Sequence, residues 1–480
     1  MSEDLGITVK KDTDISEWYQ QTVIKGGFAD YTPVKGMIVY RPNGYRVWEL
    51  IMGEFDPILK AHGVQNVLFP LLIPENLLTR EADHFAGFTP EVFWVTRGGD
   101  QPLEEKLALR PTSETIIHTM WGKWLQSHRD LPVRFNQWCT VYRHETKMTK
   151  PFIRGREVLW SETHTAHATK QEAEKETEWA INAYGDLVER ILAVPVVRGR
   201  KTDSDKFAGA EYTLGIEALM PDGRALQSGT SHLLSHKFAE AFGVKFVNED
   251  KKWTHAWMTS YGLSMRVIGG MLMIHGDDKG AVLPPKVAPV QVVIVPIVFK
   301  EKEKIVNDAT GKIHSELKKT GLRVVLDDRE GYTAGWKFND WEMQGVPLRL
   351  EVGPRDVEAK SVMLVRRDTG QKIKVPFEKL KATVKKELDR LHARLFSKAR
   401  ESLVQKTVNA TRMGEVKKAV EDQKWALAPY CGNVACEAKM KVETGAEPRL
   451  IPFGQKLLKD TRCVACGEEA TDLVYWGKSY

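Results

Sequence analysis

Between Leu107 and Met273, short strand-like segments follow one another with few helices between them, and this succession constrains the fold more than any other feature. Parallel neighbours need a long crossover, so consecutive strands without one pair antiparallel. Strands are expected at Leu107–Arg110, Trp138–Glu145, Val158–His167, Tyr212–Leu219 and Ala225–Gln227, with a last one, Ser264–Met273, feeding a helix. Thr169–Leu192 reads as a charged amphipathic helix opened by a Thr-x-x-Glu capping box, Thr169 with Glu172.

Upstream, a short helix is expected from Ile15 to Gly26. A stronger amphipathic helix spans Gly44–His62, with Val47, Leu50, Ile51, Phe55, Ile58 and Leu59 on one stripe and Pro57 interrupting it. Val67–Pro74 is strand-like but carries Pro70 and Pro74, which places it at an edge or where another chain meets the sheet. The rhythm changes at Leu283-Pro-Pro-Lys-Val-Ala-Pro289. Beyond it, strands at Val290–Ile297, Arg323–Asp327, Leu348–Val352 and Ser361–Val365 alternate with helices at Glu301–Thr320 and Trp336–Gln344, the pattern of an α/β domain. A long basic helix, Phe377–Glu401, leads out of it.

A chain of 480 residues fits about three domains. Its 42% hydrophobic and 28% charged content describes a soluble globular protein. The longest apolar run, Val290–Phe299, is too short for a membrane span, and the N-terminus has no secretory pattern. Five cysteines argue against a disulfide framework and for a reducing, cytoplasmic setting. The net charge of +6 is uneven: Lys372–Lys424 holds 15 Lys/Arg against 7 Asp/Glu, which suits either a polyanion partner or a solvated helix face.

Cys431-x4-Cys436 followed by Cys463-x2-Cys466 is a four-thiolate zinc pattern, closed and therefore structural. Cys139 stands apart, as a small buried hydrophobe. In Arg110-Pro-Thr-Ser-Glu114, Thr112 and Glu114 can grip an ammonium group, or the segment can simply cap a helix. Trp160, Glu162 and His164 alternate along one strand and share a sheet face. His164 and His167 are poorly spaced for a metal. Gln227-Ser-Gly-Thr-Ser-His232 reads as a polar turn with phosphate- or ribose-binding donors. His275-Gly-Asp-Asp278 reads as a loop-shaping cap. Arg143, in Val141-Tyr-Arg-His-Glu145, sits where a strand can aim it at an α-phosphate, and Arg266, in Gly262-Leu-Ser-Met-Arg266, where a helix start can aim it at a γ-phosphate. Planar guanidiniums suit phosphate well. Alone, Arg143 and Glu145 also read as a cross-strand ion pair. Neither common glycine-rich nucleotide loop is present.

Together these motifs resemble the class II aminoacyl-tRNA synthetases, most closely the prolyl-tRNA synthetases of archaeal and eukaryotic type, over nearly the whole chain. Gly44–His62 with Val67–Pro70 resembles motif 1, which builds the dimer interface in that family. Arg143-x-Glu145 through Val158 resembles motif 2, and Gly262–Arg266 with the following helix resembles motif 3. Pro111-Thr-Ser-Glu-Thr, Trp160-x-Glu-x-His and Gly229-Thr-Ser-His232 match the prolyl enzymes in particular. Gly345-Val-Pro-x-Arg349-x-Glu351-x-Gly-Pro resembles their anticodon-binding domain, and the four-cysteine tail ending in Tyr480 their terminal module.

The resemblance implies an α/β multidomain fold: an antiparallel-sheet class II catalytic domain (1–282), an α/β anticodon-binding domain (283–402) and a small zinc-binding α+β module (403–480). It implies that Arg143 contacts the ATP α-phosphate and the amino-acid carboxylate, that Glu145 reads the adenine amino group, and that Arg266 holds the γ-phosphate and covers one adenine face, with Ser264 nearby. Gln227 and Thr230 would contact the nucleotide. Thr112, Glu114 and His232 would hold proline, with Trp160, Glu162, His164 and Phe207 walling its ring. Mg²⁺ would accompany ATP, with Glu217 as a candidate ligand. Glu342, Arg349 and Glu351 are candidate readers of the anticodon. The family usually ends motif 2 with an adenine-stacking phenylalanine. Here Val158 stands in its place, so the stack is expected to be one-sided or supplied by Phe152. Implied partners are tRNA(Pro), L-proline, ATP and a second copy in a homodimer. Only 120 residues separate Glu145 from Arg266, so no editing insertion is expected and alanine or cysteine should be activated too. The alternatives are a synthetase-like binding paralogue that lost catalysis, or a threonyl or glycyl enzyme of the same class.

Overall fold

The computed structural model describes residues 6–84, 91–144, 148–299 and 301–480. Its centre is an eight-stranded sheet whose order across is Ile451–Pro452, Val197–Arg200, Ala210–Leu219, Ala225–Leu234, Trp257–Ser264, Glu157–His167, Val133–Tyr142 and Gln65–Asn66. All pairings are antiparallel except the last, as the lack of crossovers requires. The helix Lys170–Leu192 packs against this sheet. Thr169 and Glu172 form the expected capping box, and Ala180, Ile181, Tyr184, Leu187, Val188 and Ile191 are buried along it. The helix Pro42–Ala61 joins the same core through Val47, Ile51, Phe55 and Leu59, with Pro57 inside it.

Two elements differ from expectation. Ser264–Met273 is not a strand: the strand ends at Ser264, and Arg266–His275 is a helix buried along most of its length. Gln227–His232 is not a turn but the middle of the long strand Ala225–Leu234. Thr230, His232 and Gln227 face a cavity rather than an apolar core, so polar residues stand where a strand pattern calls for hydrophobic ones.

After the proline-rich linker, a five-stranded sheet runs Val324–Leu326, Val292–Pro296, Leu348–Val352, Ser361–Arg366 and Lys372–Pro376, parallel in its first three strands and antiparallel beyond. Lys372–Pro376 was not anticipated. Asp277 receives both arms of the Arg367 guanidinium at 2.6 and 2.7 Å, tying this sheet to the first domain. The basic helix Leu380–Gln405 leads to a four-stranded sheet of Thr407–Asn409, Trp425–Tyr430, Asp472–Gly477 and Glu447–Pro448. From this C-terminal region Ile451–Pro452 reaches back to edge the central sheet. Gly199 permits the approach: a Cβ there would sit 2.3 Å from the Ile451 carbonyl oxygen. No helix among the described residues is long and apolar enough to cross a membrane.

Candidate active site

One cavity of about 440 Å³ opens on the face of the central sheet, and most of the expected site residues line it. Thr112 joins Glu114 and Glu162, Phe207 packs on His232, Arg143 lies over Trp160, and Gln227, Thr230, Ser264 and Arg266 share the same walls. The sequence brings them together from three strands, the segment just past a fourth, two helix starts and a loop. Register pairs Trp160 with Ser264 and Glu162 with Gly262, and Thr230 lies opposite Gly262 on the other side.

The two arginines are held by carbonyls, not by acids. Arg143 donates from Nε and Nη2 to the Pro111 carbonyl at 3.3 Å, and its guanidinium lies 5.5 Å from the centre of the Trp160 ring. Arg266, the first residue of its helix, donates from Nε to the Ile153 carbonyl at 3.1 Å. Burial, with Arg143 and Arg154 nearby, pulls its pKa down to about 10, so it stays charged at neutral pH. Among the described residues no carboxylate pairs with either guanidinium within salt-bridge distance. Two charged forks facing one cavity without counter-ions form a site for a polyanion.

The other end is acidic. Glu162 is almost fully buried; its Oε1 accepts from the Ser113 backbone N–H at 2.7 Å and lies 3.1 Å from His164 Nε2. Burial pushes the Glu162 pKa up, but the neighbouring His164 and the hydrogen bonds from Ser113 and Thr112 outweigh it, so the carboxyl is held below the ordinary range. Burial pulls His164 down, and the bond to Glu162 and the charge of Glu114 more than reverse this, so its pKa is raised. The Thr112 hydroxyl bridges Glu114 and Glu162. Ligand atoms of Glu114, Glu162 and His164 all lie within 4.8 Å of one another. Because His164 pairs with Glu162, Glu114 supplies a net negative charge to the cavity wall. His232 bonds Thr213 Oγ1 through Nδ1 at 2.9 Å; burial lowers its pKa to about 3, leaving it neutral beside the Phe207 ring, 4.8 Å away.

Several expectations need correction. His164 does not wall the cavity; it lies fully buried beneath Glu162, its ring edge-on to His118. Phe152 is buried against Tyr40, with ring centres 5.1 Å apart, in a tight turn where its own φ is +63°, and it does not line the cavity, so it supplies no stack. Val158 does line the cavity. Glu217 is not free for a metal: the Arg449 fork bonds both its oxygens at 2.8 and 2.9 Å, and Lys201 Nζ lies at 2.6 Å. Thr112 and Ser113 do not cap the helix Glu114–Trp124, since Ser113 Oγ accepts from Gln137 Nε2 at 2.7 Å instead. Glu145 lies outside the described residues. The sequence reading also missed Lys201, Asp205 and Lys206, which line the cavity from the loop before Ala210–Leu219. No periodicity marks that loop; its charged residues next to Phe207 were the only available signal.

The four tail cysteines converge. Cys431 Sγ lies 3.6 Å from Cys436 Sγ and 3.7 Å from Cys466 Sγ, and all four ligand sulfurs fall within 4.8 Å of one another. Four thiolates at about 2.3 Å from a tetrahedral zinc would stand about 3.8 Å apart. The donor set and spacing therefore fit zinc, and they are far from the disulfide distance of about 2.05 Å.

The antiparallel sheet with its cation-lined cavity, joined to a separate α/β domain, is a class II aminoacyl-tRNA synthetase core: the family of tRNA synthetase class II core domains (G, H, P, S and T) matches residues 93–275. An anticodon binding domain matches residues 291–387, and the prolyl-tRNA synthetase C-terminal family matches residues 413–480. The proline–tRNA ligase of Cenarchaeum symbiosum is 48% identical over 478 residues, covering 99% of this chain and 100% of that one. Two solved structures of prolyl-tRNA synthetase from Cryptosporidium parvum share 42% identity. One, complexed with halofuginone and AMPPNP, has a TM-score of 0.96 and covers 99% of this chain and 100% of that one. The other, complexed with L-proline and AMP, has a TM-score of 0.94 and covers 100% and 98%. The chain belongs to the proline–tRNA ligase family.

Proposed function

We propose that this chain attaches L-proline to tRNA(Pro) at the expense of ATP, through domains spanning about 1–282 (catalytic), 283–402 (anticodon-binding) and 403–480 (zinc-binding). The observation that carries the reading is the division of one cavity into a cationic part at Arg143 and Arg266 and an acidic part at Glu114 and Glu162. The proline carboxylate, already anionic, attacks the α-phosphorus of ATP. A carboxyl–phosphoryl bond forms, the bond to the β-phosphate breaks, and pyrophosphate leaves. The 3′-terminal tRNA hydroxyl then attacks the carbonyl carbon and AMP departs. No general base is needed in the first step; positioning and charge neutralisation lower the barrier.

In this reading Arg143 holds both the α-phosphate and the proline carboxylate, and Arg266 the γ-phosphate. Gln227, Thr230 and Ser264 line the nucleotide side, and Glu145 is assigned to adenine. Glu114, with Thr112 and neutral His232, takes the secondary ammonium, while Trp160 and Phe207 close on the ring and His164 keeps Glu162 ionised beneath it. Magnesium would accompany ATP and would supply charge neutralisation on its phosphates; with Glu217 occupied by Arg449 and Lys201, no side chain of this chain is assigned to it. Zinc would be held by Cys431, Cys436, Cys463 and Cys466 and would fix the fold of the tail. A homodimer is supported by Leu68, 83% exposed within the segment resembling motif 1, and a cytoplasmic location by five cysteines none of which is in a disulfide.

Aminoacylation of purified tRNA with individual amino acids tests the assignment. Proline should be charged most efficiently. Charging of threonine or glycine in preference to proline, or of nothing, would favour one of the alternatives.

A further inference from the structure

The loop 201–207 joins two strands of the central sheet and contributes Lys201, Asp205, Lys206 and Phe207 to the cavity wall. On its cavity side, the Phe207 backbone N–H donates to Thr213 Oγ1 at 2.9 Å, and the same hydroxyl bonds His232. Its outer side is held by the C-terminal module. The Ser204 hydroxyl donates to the Glu437 carboxylate, whose other oxygen accepts from Tyr430 Oη at 2.6 Å. At the root of the loop, Lys201 Nζ reaches Glu217 at 2.6 Å and Asp205 at 2.8 Å, and the Arg449 guanidinium completes the cluster by bonding both Glu217 oxygens. Glu217 and Lys201 are essentially sealed from water, and Arg449 and Glu437 nearly so. Ile451–Pro452 pairs with the strand just before the loop.

Asp203, Ser204 and Asp205 are exposed, and an exposed loop without such ties samples many conformations at little cost. A buried charge cluster is expensive to form unless its geometry is fixed, and once formed it tolerates few alternatives. Two such anchors, both supplied from another part of the chain, leave the loop one position relative to Phe207 and His232.

We propose that Glu437 and Arg449 are positioning residues for the amino-acid end of the cavity: from the C-terminal module, they fix the 201–207 loop that sets Phe207 against His232. This rests on the reading of the cavity as a proline and ATP site. The consequence is a split in kinetic constants, because a misplaced loop loosens the amino-acid end and leaves the Arg143–Arg266 end in place.

The test is proline-dependent ATP–pyrophosphate exchange on the full-length chain, with Ser204→Ala, Glu437→Gln and Arg449→Lys compared with the unaltered protein and thermal melting measured in parallel. KM for proline is expected to rise about 5-fold or more, while KM for ATP stays within about 2-fold. Arg449→Lys, which keeps the charge but not the fork, should raise KM for proline less than Arg449→Met, measured alongside it. Should the buried variants fail to fold, Ser204→Ala decides alone, since it removes only one hydroxyl from an exposed turn. An unchanged KM for proline in Ser204→Ala, or KM values for proline and ATP rising together in any folded variant, would overturn the proposal. Absence of proline-dependent exchange in the unaltered chain would instead overturn the functional reading beneath it.

Discussion

His164 Nε2 lies 3.1 Å from Glu162 Oε1, and neither side chain is more than 3% exposed. Glu162 lines the acidic end of the cavity, and His164 lies beneath it and compensates its charge. The raised His164 pKa stabilises the fold fully below the ordinary value of 6.5, and this contribution is lost as pH rises through the folded value. The lowered Glu162 pKa stabilises above the ordinary value of 4.5 and is lost as pH falls. The pair therefore contributes most between these two limits. His164→Gln should destabilise by about 3–5 kcal/mol in that window, as breaking a buried pair does. Denaturant unfolding across pH should show the difference between unaltered and altered chains narrowing on the alkaline side; a difference that widens there contradicts the pairing.

Val158 lines the cavity, and Phe152 is engaged with Tyr40 instead. One adenine face should therefore lack an aromatic partner. Base stacking on a ring is worth about 1–3 kcal/mol, so Val158→Phe should lower KM for ATP by roughly 5-fold or more while leaving KM for proline unchanged. Exchange kinetics with varied ATP check this.

The sulfur spacing at Cys431, Cys436 and Cys466 matches a tetrahedral thiolate site. Metal analysis of the purified chain should find stoichiometric zinc, and Cys463→Ser should lose most of it and lower the melting temperature. Zinc retained in full by Cys463→Ser would show that this residue is not a ligand.

In the anticodon-type domain, Arg349 donates to Glu351 Oε1 at 2.9 and 3.1 Å and stacks over the Phe338 ring at 4.2 Å, with Glu342 Oε1 at 3.3 Å. Nearly buried, with Nε and Nη2 bonded to Glu351 and Nη1 to Glu342, this fork offers no free edge to a base, and its effect on tRNA is exerted through the strand Leu348–Val352 that it holds. Arg349→Leu should raise KM for tRNA by roughly 10-fold and leave ATP–pyrophosphate exchange untouched. Equal loss in both assays would mean that the cluster serves the fold rather than the tRNA.

Much of this site was legible because its chemistry is written into short local segments. Thr112 and Glu114 sit two apart at a strand end, Trp160 and Glu162 alternate on one face, and Arg266 follows a glycine at a helix start. The rest depended on contacts that no window reveals. The apolar run after Arg266 satisfies a buried helix and a buried strand equally, which is why Ser264–Met273 was misread. Gln227–His232 looked like a turn because its polar residues face a cavity. Glu217 looked available to a metal because its partner, Arg449, lies in another module. Alternation placed His164 on the right face, but depth beneath Glu162 is set by packing, which periodicity does not encode.

The most direct test of the central claim is a structure of the chain with a non-hydrolysable prolyl-adenylate analogue. The phosphoryl group should lie against Arg143, on the Arg266 side of the cavity, with the proline nitrogen within hydrogen-bonding distance of Glu114 and the ring between Trp160 and Phe207. An analogue bound away from the two guanidiniums, or with its ring outside the Glu114–Glu162 end, would contradict the account.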